Sequence, residues 1–474
     1  MRVKQNIVWQ TMWAPELVGR NPVKYLAIVE ALAEAVRSGD LQPGAQLPTH
    51  RELAWRLRIN VSTVTQAYRE AARRHLVTGE VGRGTYVLAD SREAALFGLK
   101  ELDRNDVIDL STNVPAIDLS NGDLDAALKE ITAKGALSAA QAYHSPQLIQ
   151  RSQIAAASWF AWRGFELRPR DIVTCAGAQQ ALMTALLAVC RPGDGVLVEE
   201  LTFPGMKAVG KQLGLRLQGI AIDAEGALPA GLDKMARASG ARVVVLVPSL
   251  QNPTGAVMGA QRRRAIAEVM RQRDLFLIED DVYGGLTDLP PLASELSERS
   301  IVVSSLSKTV APGLRFGMIA GLAPVVRSLA SEIHATSWQL SPLMCDIACQ
   351  WLESGVAERR VAWQRAEVER RYRMVEPILL GRSDRLGKRH PSPHVWLPLA
   401  GNCEERVLAC RRKGVELVAG SLFAVGRDAP TGLRASITAP ASRRELSLAL
   451  SRLKGCEAAW RDERLRSLRR AAAS

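Results

Sequence analysis

Hydrophobic and polar positions alternate in two different ways along this chain. Between Tyr25 and Ser38 the apolar residues Leu26, Ile28, Val29, Leu32, Ala33 and Val36 fall at helical spacing, the stripe of an amphipathic helix. Gly39-Asp40 ends it, and Leu41–Pro48, with Pro43 and Gly44, reads as a turn. Thr49 followed three residues on by Glu52 is a capping box, which predicts a helix from there to about Leu57. A short turn, Arg58–Asn60, leads to a second predicted helix, Val61–Arg74. The pair makes a helix-turn-helix, whose second helix can enter a major groove. Leu76–Val87 then reads as a hairpin turned at Gly82 and Gly84, with Arg83 at its tip, placed to reach phosphates or a minor groove.

From Val107 onward the pattern changes. Apolar strand candidates at Ile172–Cys175, Gly195–Glu199, Val243–Val247, Leu275–Glu279 and Ile301–Ser304 alternate with amphipathic helical stretches. That alternation predicts an α/β domain with a largely parallel sheet. The expected organisation is an arm at 1–20 carrying Trp9 and Trp13, a small basic domain at 21–90, a charged linker at 91–106, and a large domain at 107–474.

Composition narrows the classes. The 474 residues are too many for one ordinary core, and 47% hydrophobic with 23% charged residues is globular rather than disordered. No apolar run reaches membrane-spanning length and Met1–Arg20 lacks a signal peptide's pattern, so a cytoplasmic, non-membrane protein is expected. Seven cysteines include no CxxC pair, and Cys345 and Cys349, a helical turn apart, have no nearby partners for a zinc set. Reduced thiols and no metal are expected. The net charge of +13 suits a polyanionic partner, and double-stranded DNA is the one the helix-turn-helix implies.

Four segments of the large domain carry candidate chemistry. Thr174–Leu182 is a small-residue turn that opens a helix, where free N–H groups and the dipole suit a phosphate. Gln251-Asn252-Pro253-Thr254-Gly255 is a turn by composition. Glu279-Asp280-Asp281-Val282-Tyr283 sets carboxylates at a strand's C-terminal end, where open α/β sheets bind ligands. In Ser304–Gly317, Lys308 follows an apolar strand among hydroxyls, with Arg315 seven residues on, which suits a Schiff base beside a phosphate clamp.

Two resemblances follow from these motifs. Gly39–Val87 resembles the winged-helix domain of the GntR family, through its Gly-Asp-Leu-x-Pro-Gly-x-x-Leu-Pro turn, Arg-Glu-Leu-Ala helix and Gly-Arg-Gly-Thr-Tyr-Val wing. The resemblance implies that Arg51 holds a phosphate or base, that Ser62, Thr63 and Thr65 face the groove, and that Arg83 is the wing contact. Many members carry arginines where this chain has Val61 and Gln66; Gln66 can hydrogen-bond an adenine edge instead. Val107 to the end resembles class I aminotransferases of the α/β PLP-dependent transferase fold type I. That implies pyridoxal 5′-phosphate (PLP) as cofactor, with Lys308 forming its internal aldimine and Asp280 pairing the pyridine nitrogen. Tyr283 and Asn252 would bond the ring hydroxyl, Phe203 stack on the ring, and Ala178, Gln179, Ser305 and Arg315 hold the phosphate. Tyr143 would reach the partner subunit's phosphate, and Arg434 would clamp a carboxylate of the ligand.

The Lys308–Arg315 spacing is a residue shorter than in aspartate aminotransferases. The Lys-Thr-x-Ala-Pro-Gly-x-Arg form resembles aminoadipate-type aminotransferases and the MocR-like subfamily of GntR regulators, and His394-Val395-Trp396-Leu397-Pro398-Leu399 also resembles that subfamily. By that resemblance the protein is a multidomain, homodimeric transcriptional regulator that senses PLP or an amino-compound effector. The alternative is a class I aminotransferase with an accessory DNA-binding domain, for which Lys308, Asp280, Tyr283 and Arg434 are all present.

Overall fold

The computed structural model describes residues 12–17, 23–38, 40–41, 45–73, 76–80, 84–87, 107–118, 121–135, 139–143, 145–322, 324–332, 336–337, 340–380, 390–399, 401–426 and 429–454. The chain divides into two compact units, Met1–Glu101 and Leu102–Ser474.

In the first unit three helices, α1 (Lys24–Ser38), α2 (His50–Leu57) and α3 (Val61–Arg73), precede a hairpin of β1 (Val77–Glu80) and β2 (Gly84–Val87). The stripe read on α1 is its buried face: Ile28, Val29 and Leu32 pack with Leu53 and Ala54 of α2 and Val64, Ala67 and Ala71 of α3. Each fully buried aliphatic contributes about 1.5–3 kcal/mol. Thr49 caps α2, its hydroxyl accepting the Glu52 N–H at 3.2 Å. The Tyr68 hydroxyl of α3 donates to the Pro48 carbonyl at 2.8 Å, which fixes the turn before α2 against α3. The hairpin pairs antiparallel from Val77↔Val87 to Glu80↔Gly84. Its outer edge is joined by the segment before α2, through Leu47 N–H to Thr85 O and Val87 N–H to Ala45 O, both 2.8 Å.

The second unit is built on seven strands: β3 (Ile172–Cys175), β4 (Gly195–Glu199), β5 (Arg216–Ile220), β6 (Val243–Leu246), β7 (Phe276–Asp280), β8 (Ser300–Ser305) and β9 (Gly317–Ala320). Their order is β3-β9-β8-β7-β6-β4-β5. Neighbours run parallel except β9, which is antiparallel to both β8 and β3. The sheet is buried on both faces. Along β6, Val243 and Val245 join one apolar cluster, while Val244 and Leu246 join another. That explains why these strands read as unbroken apolar runs rather than alternating ones.

A smaller module follows, with β10 (His394–Pro398) paired antiparallel to β11 (Gly432–Ser436). The short strand Val415–Glu416 lies parallel to Ile108–Asp109, so the start of this unit is woven into its C-terminal module. Cys175, Cys190, Cys345, Cys349 and Cys403 form no disulfide among the described residues. No helix among the described residues is long and apolar enough to cross a membrane.

Candidate functional site

The strand ends converge at one edge of the sheet. Ser305, the last residue of β8, is paired with Gly317, and Gly317 with Cys175 at the end of β3. This register brings the turn Ala176-Gly177-Ala178 beside Ser305 and Arg315. Helix α4 (Ala178–Val189) starts there, with Gly177 as its N-cap at φ 87°. The Arg315 guanidinium packs against that glycine: a Cβ on Gly177 would lie 2.5 Å from its Nη2. Arg315 donates to the Ala176 carbonyl at 3.4 Å. Ser305 Oγ accepts the Ser307 N–H at 3.0 Å. Gln179 donates to the Gly205 carbonyl at 2.9 Å. A Cβ on Gly205 would come within 2.9 Å of the half-buried Phe203 ring, so Phe203 and Gln179 share one neighbourhood.

Three consecutive acids lie at the end of β7, Glu279 and Asp280 in the strand and Asp281 just past it, and the alternation of the extended chain separates them. Glu279 accepts the N–H groups of Leu292 at 3.0 Å and Ala293 at 2.7 Å. Asp281 is spent on a buried ion pair with Arg163 at 3.4 Å. Asp280 faces the Lys308 side. Burial pushes its carboxyl up to about 7, with the Val282 N–H and Lys308 drawing it down and Asp281 pushing it up.

Lys308 sits among these groups, its Nζ donating to the Asn113 carbonyl at 2.5 Å. Burial lowers its ammonium to about 8; Arg434 and Arg315 press the same way and Asp280 opposes them. An amine with that affinity for protons is a usable nucleophile near neutrality. Tyr283 is buried, and burial raises its phenol above the ordinary range.

Arg434, on β11, is buried too, and burial lowers it to about 10. Its Nη1 donates to Asn252 Oδ1 at 3.2 Å. Its Nη2 donates to the Ser111 carbonyl, and the guanidinium lies 5.1 Å from the Phe423 ring centroid.

Lys308, Asp280, Tyr283, Asn252 and Arg434 thus form one cluster, with Asp280, Tyr283 and Arg434 buried and Lys308 and Asn252 half-buried. Ala178, Ser305 and Arg315 form a cradle at the helix start, next to Phe203 and Gln179. Tyr143 is not in the cluster; it is 76% exposed at the surface. The sequence reading missed two members. Asn113 joins the cluster through its carbonyl and its amide, and no motif marks Thr112-Asn113-Val114. His394 had been singled out only as a family feature; its ring packs edge-on to Tyr283 at 5.4 Å.

The donor set fits PLP. An amine is present for its aldehyde, a carboxyl for its ring nitrogen, and a guanidinium, hydroxyls and helix N–H groups for its phosphate. In this cluster Asn113 Oδ1 and Arg434 Nε are buried without hydrogen-bond partners, as polar atoms that serve a ligand are.

In the first unit, α3 turns Val64, Ala67 and Tyr68 inward and leaves Ser62 and Gln66 exposed. Thr63 and Thr65 are half-buried. The Thr65 hydroxyl donates to the Val61 carbonyl at 3.0 Å, which leaves only its methyl and lone pairs toward solvent. Arg51 is exposed on α2. Arg83, the expected wing contact, lies outside the described residues, as does the linker at 91–106.

Fold and site define a class: a winged helix-turn-helix joined to an aminotransferase-like body. Comparison with known proteins agrees. Residues 105–453 match the family described as aminotransferase class I and II. Residues 24–87 match the gntR family of bacterial regulatory proteins. The HTH-type transcriptional regulator YdeF of Bacillus subtilis is 29% identical over 448 residues, covering 93% of this chain and 96% of that one. The vitamin B6 salvage pathway transcriptional repressor PtsJ of Salmonella typhimurium is 26% identical, covering 87% of this chain and 93% of the relative. In shape, the second unit is similar to the kynurenine aminotransferase of Pyrococcus horikoshii: TM-score 0.68, 24% identity, 79% of this chain and 95% of that one. The chain belongs to the aminotransferase class I and II family and, with its GntR domain, to the MocR-like DNA-binding transcriptional regulators. That family implies PLP dependence.

Proposed function

We propose that this regulator reads PLP, or an amino compound that reacts with bound PLP, and converts the reading into a change of operator affinity. One observation carries the proposal. A half-buried lysine amine lowered to about 8 lies in a cluster with the buried Asp280, Tyr283 and Arg434, on a chain that carries a helix-turn-helix. Lys308 is the covalent anchor, and bound PLP supplies an electron-withdrawing ring. Asp280 keeps a proton near the ring nitrogen, Tyr283 and Asn252 serve the ring oxygen, and Phe203 covers the ring face. Ala178, Gln179, Ser305 and Arg315 hold the phosphate. Arg434, already paired with Asn252 and Ser111, gives a carboxylate-bearing ligand a desolvated cation.

On the DNA side Arg51 and Arg83 serve phosphates or base edges, and Ser62, Thr63, Thr65 and Gln66 face the groove. Residues 21–90 form the DNA-binding module, 91–106 the linker and 107–474 the effector domain. We take the working unit to be a cytoplasmic homodimer that presents two heads to two half-sites, with Tyr143 serving the partner's cradle. The vitamin B6 pathway of the relative PtsJ supports PLP itself as one signal.

The test is spectroscopic. Adding PLP to the purified protein should give a visible absorbance band that Lys308→Ala removes while the far-ultraviolet circular dichroism stays unchanged. A band of full strength in the variant would refute the lysine assignment.

A further inference from the structure

The hydrogen-bond polarity around Tyr283 can be read from elementary donor and acceptor rules. His394 Nε2 lies 2.9 Å from the Gln251 carbonyl. A carbonyl only accepts, so Nε2 carries the proton. Burial, with Arg434 and Lys308 nearby, pushes the imidazole down to about 3, so it is neutral and Nδ1 is a bare acceptor. Asn113 Nδ2 lies 3.3 Å from that Nδ1 and must be the donor. The same NH2 lies 2.7 Å from the Tyr283 hydroxyl, which therefore accepts. Asn113 Oδ1 is left buried without a partner. Turning the amide over would set its oxygen against the lone pair of Nδ1, so the orientation is fixed by chemistry. A hydroxyl that accepts from Asn113 keeps its own proton to give. The charged groups facing Tyr283 are Arg434 and Asp280, and those facing Lys308 are Arg434, Asp280 and Arg315.

We propose that Asn113, its amide held by His394, is a positioning residue that commits the Tyr283 hydroxyl to donate into the Lys308 site, onto the ring oxygen of bound PLP. The inference rests on the reading of this pocket as a PLP site. A donor to an anionic oxygen stabilises the anion, so the site takes up its proton at lower pH. Losing the enforced donor moves that midpoint up.

The experiment titrates the visible band of the full-length, PLP-loaded protein against pH. Tyr283→Phe, which has no proton to give, should raise the midpoint. Asn113→Ala should raise it in the same direction by about half a pH unit or more. Because Asn113 acts through Tyr283, the double variant should match Tyr283→Phe alone. Should Asn113→Ala not fold, Asn113→Leu removes the donor while keeping the volume. A normal band with an unmoved midpoint in the Asn113 variant, or shifts that add in the double variant, overturns the inference alone. A wild-type protein with no visible band overturns the PLP reading and the inference together.

Discussion

Gly177→Ala isolates the phosphate cradle from the rest of the pocket. Gly177 adopts φ 87° and ψ 168°, a region essentially reserved for glycine, so an alanine there costs about 1–3 kcal/mol. The new methyl would lie 2.5 Å from Arg315 Nη2 and 2.9 Å from its Cζ. Arg315 is exposed and can swing, so the fold should survive with a melting temperature lowered by about 2–4 °C per kcal/mol. The guanidinium, however, leaves the start of α4. A charge-assisted hydrogen bond is worth about 1.5–3 kcal/mol, so PLP affinity should fall by about ten- to 150-fold. Pyridoxal, which lacks the phosphate, should bind the variant and the wild type alike. Equilibrium titration of both compounds, read by absorbance, measures the contrast. Equal losses for PLP and pyridoxal, or no loss for either, would refute the assignment of Gly177 and Arg315 to a phosphate.

Other consequences are equally direct. His394 is held neutral, its pKa lowered from 6.5 to about 3 by burial. Below pH 6.5 the unfolded chain therefore takes up a proton that the folded one refuses, and stability falls by about 1.4 kcal/mol per pH unit down to the folded value. Cofactor-free wild type should lose melting temperature from pH 7 to pH 5 more steeply than His394→Gln; parallel curves would contradict this. Arg434→Leu should abolish the spectral response to amines carrying a carboxylate and spare simple amines, and equal loss for both would remove the clamp. Gln66→Ala should relax preference at one base pair by about 1–3 kcal/mol in competition binding. Arg51→Ala should instead weaken all duplexes and reduce the salt slope by about one; a sequence-selective loss would reassign it as a base contact.

Local rules made much of this protein legible. The capping box at Thr49, the helical stripe on α1 and the apolar runs of the sheet each depend on near neighbours, and each is where the sequence predicts it. Two strands were not legible. Arg216–Ile220 is an edge strand with polar Arg216 and Gln218, and Gly317–Ala320 is four residues wedged between turns, too short to show a period. Its antiparallel course makes the sheet mixed, yet it is the strand that aligns Ser305 with the α4 turn. Among the candidate site residues, those in contiguous motifs could be proposed from the sequence: Lys308, Asp280, Tyr283 and Arg315. Asn113 was not, because its place depends on the first strand of the unit pairing with Val415–Glu416, some three hundred residues away. A polar residue in an unremarkable loop gains meaning only when the chain returns to cover it. At Thr65, where the family resemblance implies a groove contact, the hydroxyl donates its proton back to the Val61 carbonyl of α3, a bond that no motif announces.

The central claim is that occupancy of the Lys308 pocket changes the affinity of the helix-turn-helix for DNA. The measurement that tests it is fluorescence anisotropy of the full-length protein on labelled duplex from upstream of its own gene, against a scrambled duplex, at near-physiological salt. It is run with and without PLP, for wild type and Lys308→Ala. The account predicts tight, sequence-selective binding whose Kd moves at least fivefold with PLP in the wild type and stays fixed in the variant, a coupling of about 1 kcal/mol. Selective binding that is identical with and without PLP would contradict it.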